Sequence, residues 1–265
     1  MKKILLCLYM KHKKITNNIK KICLTLFLSF ANINLSYAQE FIIGVEEVSY
    51  YPLFDFSATD TSKPSFSRDI LKEFFEQHNY SYRFIALPIK RFNKWYEDKG
   101  IDFKFPDNAR WRDDTYNKLN ITFSRPVIKL MAGSYVLKSN AKYRREDIKK
   151  LGTIFGFSPT LWFDKLKSKE LELIEENTPF GIIKHILHGN VDATNIDSNV
   201  IRHNLKLVEK PKAIVLNTNI YHEVFSYHLS SIEHPEIIKQ FDTFIQNNPE
   251  LIQQIKKKHD ITEAL

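Results

Sequence analysis

Cysteine is nearly absent from this sequence: there are two in 265 residues, Cys7 and Cys23, and both fall in the first 38 positions. The rest of the chain therefore has no disulfide framework, no thiol nucleophile and no cysteine metal site. Glycine is scarce too, with seven residues, and none stands in a glycine-rich run of the kind that cradles phosphate. No acidic residue precedes Glu40. No apolar run approaches the roughly 20 residues that a membrane-spanning helix needs. These absences remove disulfide-stapled scaffolds, cysteine enzymes, P-loop chemistry and membrane bundles from consideration.

The N-terminal stretch is an export leader by its pattern. Seven lysines lie between Lys2 and Lys21, a short apolar run follows from Ile22 to Phe30, and Ser36-Tyr37-Ala38 supplies small residues before Gln39. A basic start, a short apolar core and small residues at the last and third-last positions describe a secretory signal peptide. The expected cleavage lies near Ala38-Gln39, the expected destination is the periplasm, and Met10 stands as an alternative start. The whole chain has 39 basic and 31 acidic residues, a net charge of +8. Taking away the seven leader lysines leaves 32 basic residues, so the mature chain is close to neutral. The high isoelectric point belongs to the leader, and nucleic acid is not expected as a partner.

In the mature chain, strand and helix patterns alternate. Phe41 to Val45 is a continuous apolar run of the buried-strand type, and it ends in the aromatic loop Ser49-Tyr50-Tyr51-Pro52-Leu53-Phe54. Phe66, Ile70 and Phe74 recur at helical spacing, and Tyr80 to Ala86 alternates as a strand. Pro88 opens a helix that Gly100 closes. Ile101 to Phe105 is the next strand, followed by a turn and then Arg110, Trp111 and Arg112. A second extended run, Ile121 to Phe123, closes at Pro126. Lys129 to Lys138, with Leu130-Met131-Ala132 and Ser134 to Leu137, reads as an extended segment. A second series begins at Thr153, with Ser158-Pro159 and Thr178-Pro179 as helix-opening pairs and Val191 to Ile196 as a strand ending at Asp197. Two helices, His234 to Asn247 and Pro249 to His259, end the chain. The order βαβαβ predicts parallel sheets flanked by helices, and in such sheets ligands sit beyond the carboxyl ends of the strands.

Over nearly its whole mature length the sequence resembles periplasmic solute-binding proteins of the amino-acid type. The residues that carry the resemblance are Tyr51-Pro52-Leu53-Phe54, Gly100-Ile101-Asp102 and Thr122-Phe123-Ser124-Arg125-Pro126, then Asp147 to Thr153, Gly189 to Ala193, Tyr227 to Ser230 and His234-Pro235-Glu236. The loop Phe105-Pro106-Asp107-Asn108 with Trp111 stands where that family usually carries Thr-x-x-Arg followed closely by Phe-Ser.

The resemblance implies a two-lobed α/β body, the type II periplasmic-binding-protein fold, with each lobe a mostly parallel sheet flanked by helices. Lobe 1 is expected over 39–131 and 228–265, and lobe 2 over 132–227, joined by two crossover segments. It also implies capture of a small polar solute, an amino acid or related compound, by hinge closure for an inner-membrane ABC-type permease or a sensor. A monomer is expected, with no cofactor. Tyr51 would stack on the ligand, and Arg110 or Arg112 would clamp a carboxylate. Ser158 and Thr160 would donate to the same group, and Asp197 would take an ammonium; Asn108 and Trp111 flank the loop.

The histidines, His185 and His188 on one helix and His222 and His228 further on, lack an acid at ligand spacing, so no metal site is expected. Glu46-Glu47 and Asp113-Asp114 read as solvated pairs rather than as an acid and its base, and no enzyme activity is expected. The alternatives are an enzyme of dehydratase type on the same scaffold, or an interaction module.

Overall fold

The computed structural model describes residues 39–56, 60–111 and 119–264, and these belong to a single unit spanning 39–265. The leader, the proposed cleavage point's upstream side, Arg112 and the Asp113-Asp114 pair lie outside the described residues.

Strand β1 (Phe41–Glu46) is buried at five of its six positions, because helices cover both faces of a central parallel strand. A small hairpin follows, β2 (Ser49–Tyr50) with β3 (Phe54–Asp55). Helix α1 (Phe66–Gln77) starts at Ser65, whose hydroxyl accepts from the Arg68 N–H, and buries Phe66, Ile70, Leu71, Phe74 and Phe75 on one face. Then come β4 (Tyr82–Leu87), a 3-10 turn at Ile89–Arg91, α2 (Phe92–Glu97) and β5 (Phe103–Asp107). Strands β4 and β5 run parallel to β1 on either side of it. The chain continues through β6 (Thr122–Phe123), β7 (Ile128–Ala132) and β8 (Tyr135–Leu137).

The second series is β9 (Lys150–Ile154), α3 (Phe163–Lys167), β10 (Glu172–Glu176), α4 (Pro179–Leu187), β11 (Ala193–Thr194), α5 (Ser198–Leu207) and β12 (Ile214–Leu216). Strand β13 (Glu223–Ser231) returns to the first sheet, and α6 (Pro235–Asn247) and α7 (Pro249–Lys258) close the chain. The first sheet has the order β4-β1-β5-β13-β6, with β7 also on β13, and the second has the order β10-β9-β11-β8-β12. Each has a parallel core of three strands. In the first, β13 adds antiparallel to β5; in the second, β8 adds antiparallel to β11 and β12 to β8. The strands of the first sheet come from residues up to 132 and from 223–231, and those of the second from 135–216.

Local chemistry modifies three expectations. The segment from Leu130 to Leu137 is two strands in different sheets, broken at Gly133-Ser134. A Cβ on Gly133 would lie 2.5 Å from Leu216 Cδ1 and 3.2 Å from His222 Cβ, so a larger residue there would have to displace the Leu216 side chain. The expected strand over 191–196 shrinks to two residues. Thr194 takes over the neighbouring ladder position with its own side chain, donating to the Gly152 carbonyl at 2.7 Å and accepting from the Ile196 N–H. Ser158 is not a helix cap. The chain makes a 3-10 turn at Thr160–Trp162 without a side-chain cap, and α3 starts only at Phe163. The second such pair behaves as expected, since Thr178 Oγ1 accepts from the Gly181 N–H at the start of α4.

Aromatic rings dominate the core around α1. Phe74 is fully buried and meets the rings of Phe75, Phe241 and Phe244 at centroid distances of 5.1, 4.9 and 5.6 Å. These contacts pin α6 to α1. Phe74→Ala should therefore cost about 3–5 kcal/mol of unfolding free energy, as large cavities in cores do. Urea denaturation measures it, and a loss under about 1 kcal/mol would show that the cluster repacks around the gap.

Candidate functional site

The parallel strands β1 and β5 of the first sheet and β9 and β11 of the second all end at one cavity of about 230 Å³. Residues at or just beyond those ends line it: Glu46 and Tyr50 after β1, Lys104, Arg110 and Trp111 in and after β5, Phe157 to Thr160 after β9, and Asn195 and Asp197 after β11. Phe225 and Tyr227 of β13 complete the wall.

Asp197 is the side chain most clearly directed at this space. It caps α5, with Oδ1 accepting from the Asn199 N–H at 2.7 Å and from Asn199 Nδ2 at 2.9 Å. Its other oxygen, Oδ2, is buried and bonds nothing among the described residues, as does Oδ1 of Asn195 beside it. Two buried acceptors without donors are costly unless a donor arrives. Burial raises the Asp197 carboxyl to about 6, against the lowering effect of the two Asn199 bonds and of the Ser198 N–H, with Arg202 adding a weaker pull. The backbone N–H of Asp197 donates to the Tyr50 hydroxyl at 2.7 Å, and the phenols of Tyr50, Tyr135 and Tyr227 all feel the Asp197 charge.

Across the cavity, Arg110 Nη2 donates to Thr160 Oγ1 at 2.8 Å and to Glu223 Oε1 at 2.5 Å. Its guanidinium thus bridges the loop after β5 to the turn after β9. No described residue accepts from Nη1 or Nε, and that half of the fork has the geometry to hold an anionic group. Trp111 packs on Tyr227 and Phe225 at 5.7 and 6.5 Å and serves as both cleft wall and core.

At the floor, Lys104 Nζ donates to Asp107 Oδ1 at 3.1 Å and lies 4.8 Å from the Phe92 ring centroid. Asp107 also accepts from Ser230 Oγ at 2.5 Å, and Ser230 bonds the Tyr96 hydroxyl at 2.9 Å. Glu46 sits beside this chain, 5% exposed, with no donor to its carboxylate among the described residues. Burial pushes it to about 7; Lys104 opposes the rise and Asp107 adds to it.

Of the residues singled out from sequence, Arg110, Trp111, Ser158, Thr160 and Asp197 line the cavity. Tyr51 does not. Its ring packs on His203 and His259 at 4.7 and 6.1 Å, and the neighbouring Tyr50, 2% exposed, takes the cleft position. The alternation of the two side chains was legible, but the side each one takes depends on the β2–β3 hairpin. Asn108 is likewise off the wall: its Nδ2 donates to the Ser226 carbonyl and its Oδ1 accepts from the Arg110 N–H, so it shapes the loop that carries Arg110. Arg112 lies outside the described residues. The solvated reading of Glu46 is corrected by its burial as the last residue of a central parallel strand, whereas Glu47 is exposed. Asn195, Tyr50 and Glu46 were missed, and the available signal was their place at or just past a strand end. Among the described residues no group of three or more His, Cys, Asp or Glu is placed to hold a metal, and His185 instead bonds Glu176 at 2.8 Å. No helix among them is long and apolar enough to cross a membrane.

The Glu46 acid yields a pH prediction. A carboxyl raised in the fold stabilises it while protonated, so the contribution is complete below its ordinary value of 4.5 and is lost as pH rises through about 7. Glu46→Gln, a neutral mimic, should be near wild type in stability at pH 4. At pH 8 it should gain on the order of 3 kcal/mol over the wild type. Chemical denaturation of the protein without added solute at the two pH values measures this, and equal differences at both would remove Glu46 from the buried floor.

No family model matches the sequence, and no curated protein matches it. Solved structures do match. An amino acid ABC transporter substrate-binding protein from Streptococcus pneumoniae, bound to L-arginine, is 15% identical with a TM-score of 0.63, over 83% of this chain and 94% of that one. A histidine kinase sensor domain with similarity to periplasmic binding proteins is 11% identical with a TM-score of 0.65, over 85% of this chain and 98% of that one. An ancestral amino acid-binding protein, a precursor of cyclohexadienyl dehydratase, is 15% identical with a TM-score of 0.62, over 83% and 95%. The likeness at these identities is one of architecture, and by it the chain has the type II fold of periplasmic solute-binding proteins.

Proposed function

We propose that this protein captures a small solute carrying an ammonium group, an amino acid or related compound, in the cavity between the ends of its two parallel-strand cores. The observation that carries the reading is the pair of buried acceptors, Asp197 Oδ2 and Asn195 Oδ1, that bond no donor among the described residues. A primary ammonium offers three donors and a positive charge. The free edge of Arg110 suits a carboxylate on the same solute, and the rings of Tyr50, Trp111, Phe225 and Tyr227 suit its apolar atoms.

Capture proceeds by closure of the two halves, residues 39–131 with 228–265 and residues 132–227, about the antiparallel pair β7–β13. Arg110 with Thr160 and Lys90 over the Phe155 ring, 4.0 Å from its centroid, are the bridges that form on closing. The leader places the protein in the periplasm, where it hands its solute to an inner-membrane permease or a sensor as a monomer, without turnover.

The amino-acid-binding and sensor structures that share the fold support this reading. One feature favours the enzyme alternative: Glu46, an acid raised to about 7 within the cavity, has the range of a general acid or base. Lys104 beside it, already held by Asp107 at 3.1 Å as part of a fixed charge network, favours binding.

A screen of purified mature protein against the common amino acids and short amines, by thermal shift and then calorimetry, should return at least one binder that is recovered unchanged. Asp197→Asn should weaken that binder about 100-fold while leaving the fold intact, the scale for removing one partner of a buried charge pair. A protein that responds to no ammonium compound, or whose binder ignores Asp197, would sink the reading.

A further inference from the structure

We infer that the C-terminal segment Asp260 to Ala264 is a brace that orients the Asn199 side chain as a donor to Asp197, making Asn199 and Thr262 positioning residues for the cleft carboxylate. The inference rests on the binding role given to Asp197 above, and concerns residues that do not line the cavity.

After α7 the chain does not trail off. His259 Nε2 bonds Asp69 Oδ2 of α1 at 2.8 Å, and the chain then runs over α5. Asp260 is held twice, its carboxylate by Lys206 Nζ at 2.6 Å and its carbonyl by Arg202 Nη2 at 2.5 Å. Thr262 pairs reciprocally with the Asn199 amide: its N–H donates to Oδ1 at 2.8 Å and its carbonyl accepts from Nδ2 at 3.0 Å. Glu263 then accepts from the Lys129 N–H with one oxygen and from Lys256 Nζ with the other, at 3.0 and 2.8 Å. The Ala264 N–H donates to the Lys129 carbonyl at 3.0 Å. Five residues thereby join α7, α5 and β7, the strand that leads from one sheet to the other.

The consequence for the cleft runs through one amide. Asn199 Nδ2 donates to Asp197 Oδ1 at 2.9 Å and shares its second proton with the Thr262 carbonyl, while Oδ1 accepts from the Thr262 N–H and from Arg202 Nη2 at 2.8 Å. Two of these four bonds come from Thr262, and they determine which way the amide faces. Without them the amide keeps only its bonds to Arg202 and to Asp197 itself. The backbone N–H of Asn199 would still cap α5 through Asp197 Oδ1, so the helix start survives. What loosens is the second donor to the carboxylate whose other oxygen faces the cavity, a donor that favours the ionised, ammonium-binding form.

The test needs no ligand, so its failure is distinguishable from failure of the binding reading. In the intact mature chain the side-chain carboxyl carbon of Asp197, assigned by its loss in Asp197→Asn, is followed by NMR against pH. It should titrate near about 6. In a chain ended at Ile261, and separately in Asn199→Ala, the midpoint should rise by about half a unit or more. The two changes combined should give no more than Asn199→Ala alone, since a shared path is not additive. Amide spectra unchanged away from α5 and the tail report an intact fold. If the shortened chain does not fold, Thr262→Pro, which removes the N–H given to Asn199 Oδ1, carries the same test. A midpoint that stays put on removing the tail or the Thr262 N–H, or effects that add in full, would overturn the inference.

Discussion

Burying charge is costly, and the cleft of this protein is built from buried charges that are only partly compensated. Lys104 and Asp107 answer each other at the floor, with Ser230 and Tyr96 extending the chain of bonds. Arg110 is answered by Glu223. Asp197 is answered at one oxygen by the start of α5, and its other oxygen meets the cavity. Such half-satisfied groups lower the stability of a fold and cluster at functional sites. The raised values of Glu46 and Asp197 are the same fact expressed as proton affinity: among the described residues neither carboxylate has a hydrogen-bonded cationic partner of its own.

The placement of these groups follows from sheet direction. Strands of a parallel core end on the same side, so the residues just past β1, β5, β9 and β11 collect at one edge of each sheet. Long antiparallel β13 then crosses from the neighbourhood of the second sheet into the first, bringing Phe225 and Tyr227 to the wall and Glu223 to Arg110. Close approach at the mouth depends on Gly156, whose φ of +89° few other residues adopt and whose Cβ would come within 3.2 Å of Ile89. Phe155, half exposed beside it, meets Lys90 from the opposite side.

The order of strands and helices was legible, though not every boundary, because period-two and period-3.6 apolar patterns survive wherever one face is buried. Thr178-Pro179 capped its helix as its chemistry dictates, whereas Ser158-Pro159, the same pair of residue types, opened only a 3-10 turn. Two like signals with different outcomes show that local propensity decides little when Trp162, three residues after Pro159, is buried and bonded through Nε1 to Ser134. At the site, Arg110 was readable from its type and its place after a strand end, whereas Thr160 and Asp197 were expected only through the family resemblance; all three line the cavity.

The choice between Tyr50 and Tyr51 was not readable, and neither was the burial of Glu46. Adjacent side chains point opposite ways, so the sequence alone established that one tyrosine enters the cleft, and only the turn of the β2–β3 hairpin decided which. A glutamate that ends a strand looks the same in sequence whether water or Lys104 lies beyond it. The amino-acid order by itself determined the leader-like pattern of the N-terminal stretch, the two α/β series and the chemical kinds of group available. The tertiary structure decided which of those groups share a cavity and which are held from behind, as Asp197 is by Asn199 and Thr262. Those contacts join residues up to 63 positions apart, and no local pattern encodes a pairing of that range.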